Sequence, residues 1–144
     1  MRVALGSDMA GELPEAIDGW LRSHDHEVVR IGALAPGSND AWPSVGRDVG
    51  NCVASGEAQC GVLCCWTGTG VSIAANKVPG IRAALCADAP TAGGAREWND
   101  ANVLCMSLRS TAVPVAEEML EAWFAGKPTA DPAYRAMIDE IRKV

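Results

Sequence analysis

The feature that most constrains this chain is an alternation: five short apolar runs are separated by stretches with helical spacing. Residues 2–6, 27–31, 60–65, 81–86 and 102–106 read as strands. Residues 12–24, 44–55, a short segment reaching Lys77, and 89–98 read as the intervening helices, and 113–124 and 131–143 add two more. In the first helix Leu13, Ile17, Trp20 and Leu21 form the apolar stripe, with Pro14 tolerated in the first turn. Ser44 is expected to cap the second helix and Gly56 to stop it, after a loop at 32–43 rich in Gly, Pro, Ser, Asn and Asp. Residues 60–65 are the most continuous apolar run and should be the central strand. Such alternation predicts a three-layer, doubly wound, five-stranded parallel sheet of Rossmann-like or flavodoxin-like type. The expected order is 2-1-3-4-5, with an extra C-terminal helix that could pack on a partner subunit. A length of 144 residues fits one domain spanning 1–144.

The charge balance narrows the function. A net charge of -6 leaves no basic stripe for a nucleic-acid backbone and no polybasic membrane anchor. Apolar stretches are interrupted well before bilayer length, and Gly6-Ser7-Asp8 comes too early for a signal peptide, so a cytoplasmic protein is expected. Six cysteines without CxxC spacing, far in sequence from His24 and His26, argue against a metal site and against a disulfide scaffold. Most of these thiols should be small buried hydrophobes.

In doubly wound sheets, ligands bind beyond the carboxyl ends of the strands. The residues there are Ser7-Asp8, Thr67 to Gly70, Asp88 and Ser107-Leu108-Arg109. The turn Cys65-Trp66-Thr67-Gly68-Thr69-Gly70 is the most informative: its glycines allow close backbone approach, and the following helix start offers unpaired N–H groups. Such a loop can hold a phosphate or a transient oxyanion. It has no Gly-Lys-Ser/Thr ending, and Ile73 spoils a dinucleotide fingerprint. Cys65 stands directly before it, where a thiol facing a positive helix terminus can serve as base or nucleophile. Without a His-Asp partner pattern, proton transfer is preferred to acyl chemistry. Asp8 could cap the next helix or hold substrate hydroxyls, Asn99 could cap a helix end or bind a ligand, and Arg109 could be a surface cation or an anion clamp.

These residues together resemble the ribose-5-phosphate isomerase type B / galactose-6-phosphate isomerase family, over residues 1 to about 125. The resemblance lies in Gly6-Ser7-Asp8 with Ala10-Gly11, Trp42-Pro43, Ser55 to Ala58, Cys65 to Gly70, Ser72 to Lys77 and Gly80 to Ala84. Ala95-Arg96-Glu97, Asn99 and Asn102-Val103 complete it. It implies an aldose–ketose isomerase that moves a proton between C1 and C2 through a cis-enediolate, with no metal or organic cofactor. Carried over by position, Cys65 is the base, Thr67 assists proton traffic at oxygen, and the amides around Gly68, Thr69 and Gly70 stabilise the enediolate. Asp8 and Asn99 hold hydroxyls. The resemblance also implies a small sugar or sugar-phosphate substrate and a homodimer or tetramer with sites at the subunit interface.

The departures are chemically coherent. Met9 stands where the family usually has His, Trp98 where a His opens the sugar ring, and Ala41 where Asp precedes the aromatic-proline pair. The register puts Ala133 and Met137 at the family's phosphate-clamp positions, with Arg135 and Arg142 as candidate substitutes; Arg109 alone matches a phosphate ligand. Indole cannot shuttle a proton as imidazole does, and Met9, Trp42 and Trp98 make the pocket more apolar. A substrate other than ribose 5-phosphate follows: an open-chain tetrose phosphate, or a sugar without phosphate. Two rival readings are a catalytically silent subunit or sugar-binding paralogue, and a nucleotide-binding flavodoxin-like module.

Overall fold

Every residue of Cys60–Cys65 is buried, and this strand, β3, occupies the middle of a five-stranded parallel sheet. The computed structural model describes residues 1–144. The remaining strands are β1 (Arg2–Ser7), β2 (Glu27–Gly32), β4 (Ala83–Leu85) and β5 (Val103–Ser107). The helices are α1 (Glu12–Ser23), α2 (Trp42–Ala54), α3 (Thr69–Asn76), α4 (Ala89–Asn99), α5 (Val113–Ala125) and α6 (Pro132–Ile141). No helix is long and apolar enough to cross a membrane.

The sheet separates two apolar cores, because alternate side chains of each strand point to opposite faces. On one face Leu5, Val62, Cys64 and Leu104 meet Ile17, Leu21, Met119 and Trp123 of α1 and α5, with Ala92 and Ala95 of α4. On the other, Ala4, Leu63, Cys65 and Cys105 meet Val45 and Val49 of α2 and Val71 and Ala75 of α3. Cys64 and Cys65 are neighbours in sequence and sit in different cores, as the period of two requires. All six thiols are free and buried. Burial pushes Cys60 and Cys86 to about 11 and Cys64 to about 12, and raises Cys52 and Cys105 as well.

The three-layer parallel class is as expected, but the strand order is 2-1-3-5-4 and not 2-1-3-4-5. The last two strands exchange places for a reason of hydropathy. Every residue of β5 is buried, whereas β4 shrinks to three half-exposed residues that pair only with β5. The strand that can bury both faces takes the interior position, and the shorter one takes the edge. A second correction concerns α2: it begins at Trp42, capped by the backbone of Ala41, and Ser44 lies inside its first turn. Pro43, whose fixed φ suits a helix start, moves the beginning upstream of the serine.

Candidate active site

Parallel pairing brings the carboxyl ends of β1, β3 and β5 side by side, with Ser7 opposite Cys64 and Cys65 opposite Ser107. Backbone hydrogen bonds then tie the loops beyond them. Asp8 N–H donates to Cys64 O at 3.4 Å, Leu108 N–H to Cys65 O at 2.9 Å, and Arg109 N–H to Trp66 O at 3.0 Å. Ser107 Oγ donates to Trp66 O at 2.9 Å, and Ser7 Oγ to Met9 O at 2.6 Å. Asp8, Met9, the Cys65 to Gly70 loop and Arg109 are therefore grouped at one end of the sheet.

The loop itself is shaped by Gly68, which caps α3 at φ +76°. A Cβ there would stand 2.5 Å from Leu85 Cδ1 and 2.9 Å from the Met106 carbonyl carbon and oxygen, so the backbone passes where no side chain fits. No side chain caps α3, and the amides of Thr69, Gly70 and Val71 meet no acceptor of the chain. Trp42 packs its ring on this helix start: a Cβ on Gly70 would lie 2.9 Å from Trp42 Cδ2. The Thr67 and Thr69 hydroxyls share a hydrogen bond of 2.7 Å. Thr67 also lines a cavity of about 240 Å³ with Cys86, Ser107, Ser110 and Thr111.

Cys65 ends β3 on the α2–α3 side, and only 5% of it is exposed. Asp8 caps no helix, since Gly11 precedes α1 without side-chain help. Its Oδ1 is buried with no hydrogen-bond partner, and burial, reinforced by Asp40, raises its pKa above the ordinary 3.8. Asp88 has the structural role instead, accepting from Thr91 N–H at the start of α4 at 2.8 Å, which lowers its pKa. Arg109 is exposed, and no carboxylate pairs with it.

Trp98, Asn99, Arg135 and Arg142 are not brought to this end. α4 starts beyond the carboxyl end of β4 and runs back to the amino end of β5, so its last residues, Trp98 and Asn99, lie at the opposite end of the sheet. A five-residue strand at about 3.3 Å per residue puts roughly 15 Å of sheet between the two groups. There Trp98 and Asn99 line a groove of about 390 Å³ with Ile81, Tyr134, Met137 and Ile141. Arg142 pairs with Asp100, and with Asp139 at 3.1 Å. Asp100 also receives Arg82 at 3.2 Å and Arg96 at 3.4 Å, so three guanidinium groups surround one carboxylate. Arg135 lines a cavity of about 80 Å³ beside Asp100 and Arg142.

Sequence reasoning missed this groove and the Asp100 hub. A signal for the groove did exist: Tyr134, Met137 and Ile141 recur at helical spacing on α6, and all three are exposed. Asp100 could not be found that way, because two of its three partners, Arg82 and Arg142, come from distant segments and only Arg96 lies within a helical turn of it.

Comparison with known proteins agrees with the fold. A family model described as Ribose/Galactose Isomerase matches residues 3–141. D-erythrulose-4-phosphate isomerase of Pectobacterium atrosepticum is 35% identical over 124 residues, covering 85% of this chain and 82% of that protein. Ribose-5-phosphate isomerase B of Escherichia coli is 35% identical over 127 residues, covering 88% and 85%. The solved structure of Clostridium thermocellum ribose-5-phosphate isomerase B superposes with a TM-score of 0.90 at 35% identity, over 99% of this chain and 96% of that one. The chain thus belongs to the ribose/galactose isomerase family, whose members are aldose–ketose isomerases acting on sugar phosphates.

Proposed function

We propose that the protein interconverts a short open-chain aldose phosphate and its ketose, with a four-carbon sugar 4-phosphate as the favoured substrate. The observation that carries this reading is Trp98: a side chain that does not titrate occupies the position where the resemblance calls for a ring-opening histidine. A tetrose phosphorylated on O4 has no hydroxyl left to close a five-membered ring, so it needs no ring opening. The similarity to a D-erythrulose-4-phosphate isomerase supports the same choice.

In this reading Cys65 Sγ is the base that removes the proton from C2 of the aldose, and the electron pair passes through C1 to the carbonyl oxygen. The negative charge on the resulting cis-enediolate faces the unpaired amides of Thr69 and Gly70 at the start of α3. Thr67 moves a proton between O1 and O2, and returning the carbon-bound proton to C1 completes the ketose. Asp8, with its unpartnered Oδ1, accepts a substrate hydroxyl, and Arg109 holds the phosphate. Met9 and Trp42 exclude water beside them.

The active unit is a homodimer, paired further into a tetramer or not. Trp98 and Asn99 lie at the end of the sheet opposite Cys65, so a second protomer has to bring them to the loop. The exposed apolar side chains of α6 supply a surface for that contact. Cytoplasmic metabolism fits this chemistry.

A second reading, a catalytically silent subunit, is favoured by the burial of Cys65, which lines none of the larger grooves. Turnover of D-erythrose 4-phosphate, ribose 5-phosphate, a hexose 6-phosphate and the free sugars separates the two. The isomerase reading expects the tetrose phosphate to be converted with the highest kcat/KM. Efficient isomerisation of ribose 5-phosphate contradicts the substrate assignment, and no conversion of any sugar supports the silent subunit.

A further inference from the structure

α4 carries two adjacent glycines, Gly93 and Gly94, in its interior, where each costs about 1 kcal/mol relative to alanine. Gly93 has room for a side chain: a Cβ there would meet Ala122 Cβ at an ordinary 3.7 Å. Gly94 has none. A Cβ at that position would stand 2.7 Å from Trp98 Cζ3 and 2.9 Å from Trp98 Cε3. The indole, one helical turn further on, lies back along α4 in space that glycine leaves empty. Trp98 is half exposed on its other side and forms one wall of the groove with Tyr134, Met137 and Ile81.

The groove's polar groups sharpen what it can accept. Both side-chain atoms of Asn76 are taken by the Ala83 backbone, at 2.8 and 2.9 Å. Arg82 is held by Asp100 and by the carbonyls of Gly80 and Asp100. Asn99, the Tyr134 hydroxyl and the Trp98 indole N–H are left, and all three are neutral. This surface therefore suits the uncharged hydroxyl-bearing part of a sugar better than its phosphate.

We infer that Gly94 is a specificity-determining position: by omitting a side chain it lets Trp98 lie flat, and so fixes the width of the groove that receives the substrate's neutral end. It is a positioning residue that acts through Trp98, and the inference rests on the reading of Trp98 as a wall of the substrate site. Restoring ordinary contact of 3.4–4 Å from 2.7 Å would move the ring by about 1 Å into the groove. Because the far end of a side chain can yield, the helix should keep its fold.

The test compares Gly94→Ala, Gly93→Ala, Trp98→Phe and the double variant Gly94→Ala/Trp98→Phe. Two properties are read: KM and kcat for D-erythrose 4-phosphate, and acrylamide quenching of Trp98 emission, obtained by difference from the Trp98→Phe protein. Gly94→Ala should raise KM about 10-fold with kcat within about 3-fold, a displacement of about 1 Å being enough for such effects. It should also increase quenching of Trp98. Gly93→Ala should change neither property, and in the Trp98→Phe background Gly94→Ala should have no further effect on KM. Unchanged quenching in Gly94→Ala, or an equal rise in KM in the Trp98→Phe background, overturns the inference. Absence of wild-type turnover of the tetrose phosphate overturns the substrate reading alone, since the quenching measurement needs no substrate.

Discussion

Asp8 carries an acceptor oxygen that the fold buries without a partner, an arrangement that costs stability unless something else is gained. Its pKa is raised, so the folded chain holds the Asp8 proton more tightly than the unfolded chain does. The sign follows from linkage. Ionised Asp8 lowers stability at neutral pH, and the penalty disappears as pH falls below the ordinary value of 3.8. Asp8→Asn should therefore stabilise the fold at pH 7 by at most about 1 kcal/mol, a modest figure because the residue is only half-buried. Urea denaturation should show this gain shrinking toward pH 3.5. The same variant should lose substrate affinity, and a variant that is both more stable and fully active would remove Asp8 from the site. The side chain was legible as a candidate from its place after the first strand. Its unpaired oxygen was not, because the absence of a partner depends on how the loops of three strands meet.

At the scale of elements, the turn from β3 to α3 is held open by Gly68. Gly68→Ala should cost about 2–3 kcal/mol, since it combines a left-handed φ with backbone contact at 2.9 Å. Gly56, at φ +79°, has open space around it, so Gly56→Ala should cost only about 1 kcal/mol. Equal losses in urea denaturation would mean that the Met106 carbonyl does not crowd the loop. Most elements were readable because their pattern is local: β3 has the bounds expected of it, and α1 and α5 differ by a single residue at the end. The order of β4 and β5 was not, because it is a competition between two strands for one interior slot. Ile81 and Cys86 made residues 81–86 look like a full strand, yet only Ala83–Leu85 pairs, and the fully buried β5 wins the position beside β3. The start of α2 was misplaced for a similar reason, the serine signal being weaker than the proline before it.

Across the whole molecule, the residues that the resemblance gathers into one site are divided between the two ends of one sheet. Cys65, the amides of α3, Asp8 and Arg109 lie at the carboxyl end, and Trp98 and Asn99 at the amino end. Symmetric pairing of two chains is the simplest way to unite them. Sedimentation should then find the protein at no less than twice the chain mass. Ile141, exposed on α6 beside the groove, is a suitable position to break that contact. Ile141→Glu should yield a monomer with unchanged far-UV circular dichroism and at least about 100-fold lower activity, because the two halves of the site are separated. A fully active monomer would mean that the halves need not meet. The most direct test of the whole account follows solvent deuterium into C1 and C2 of D-erythrose 4-phosphate and its ketose, with the wild-type protein and Cys65→Ala compared. Deuterium uptake by the wild type and a loss of about 1000-fold or more in Cys65→Ala is the expected result; undiminished uptake in the variant would contradict the assignment of Cys65 as the base.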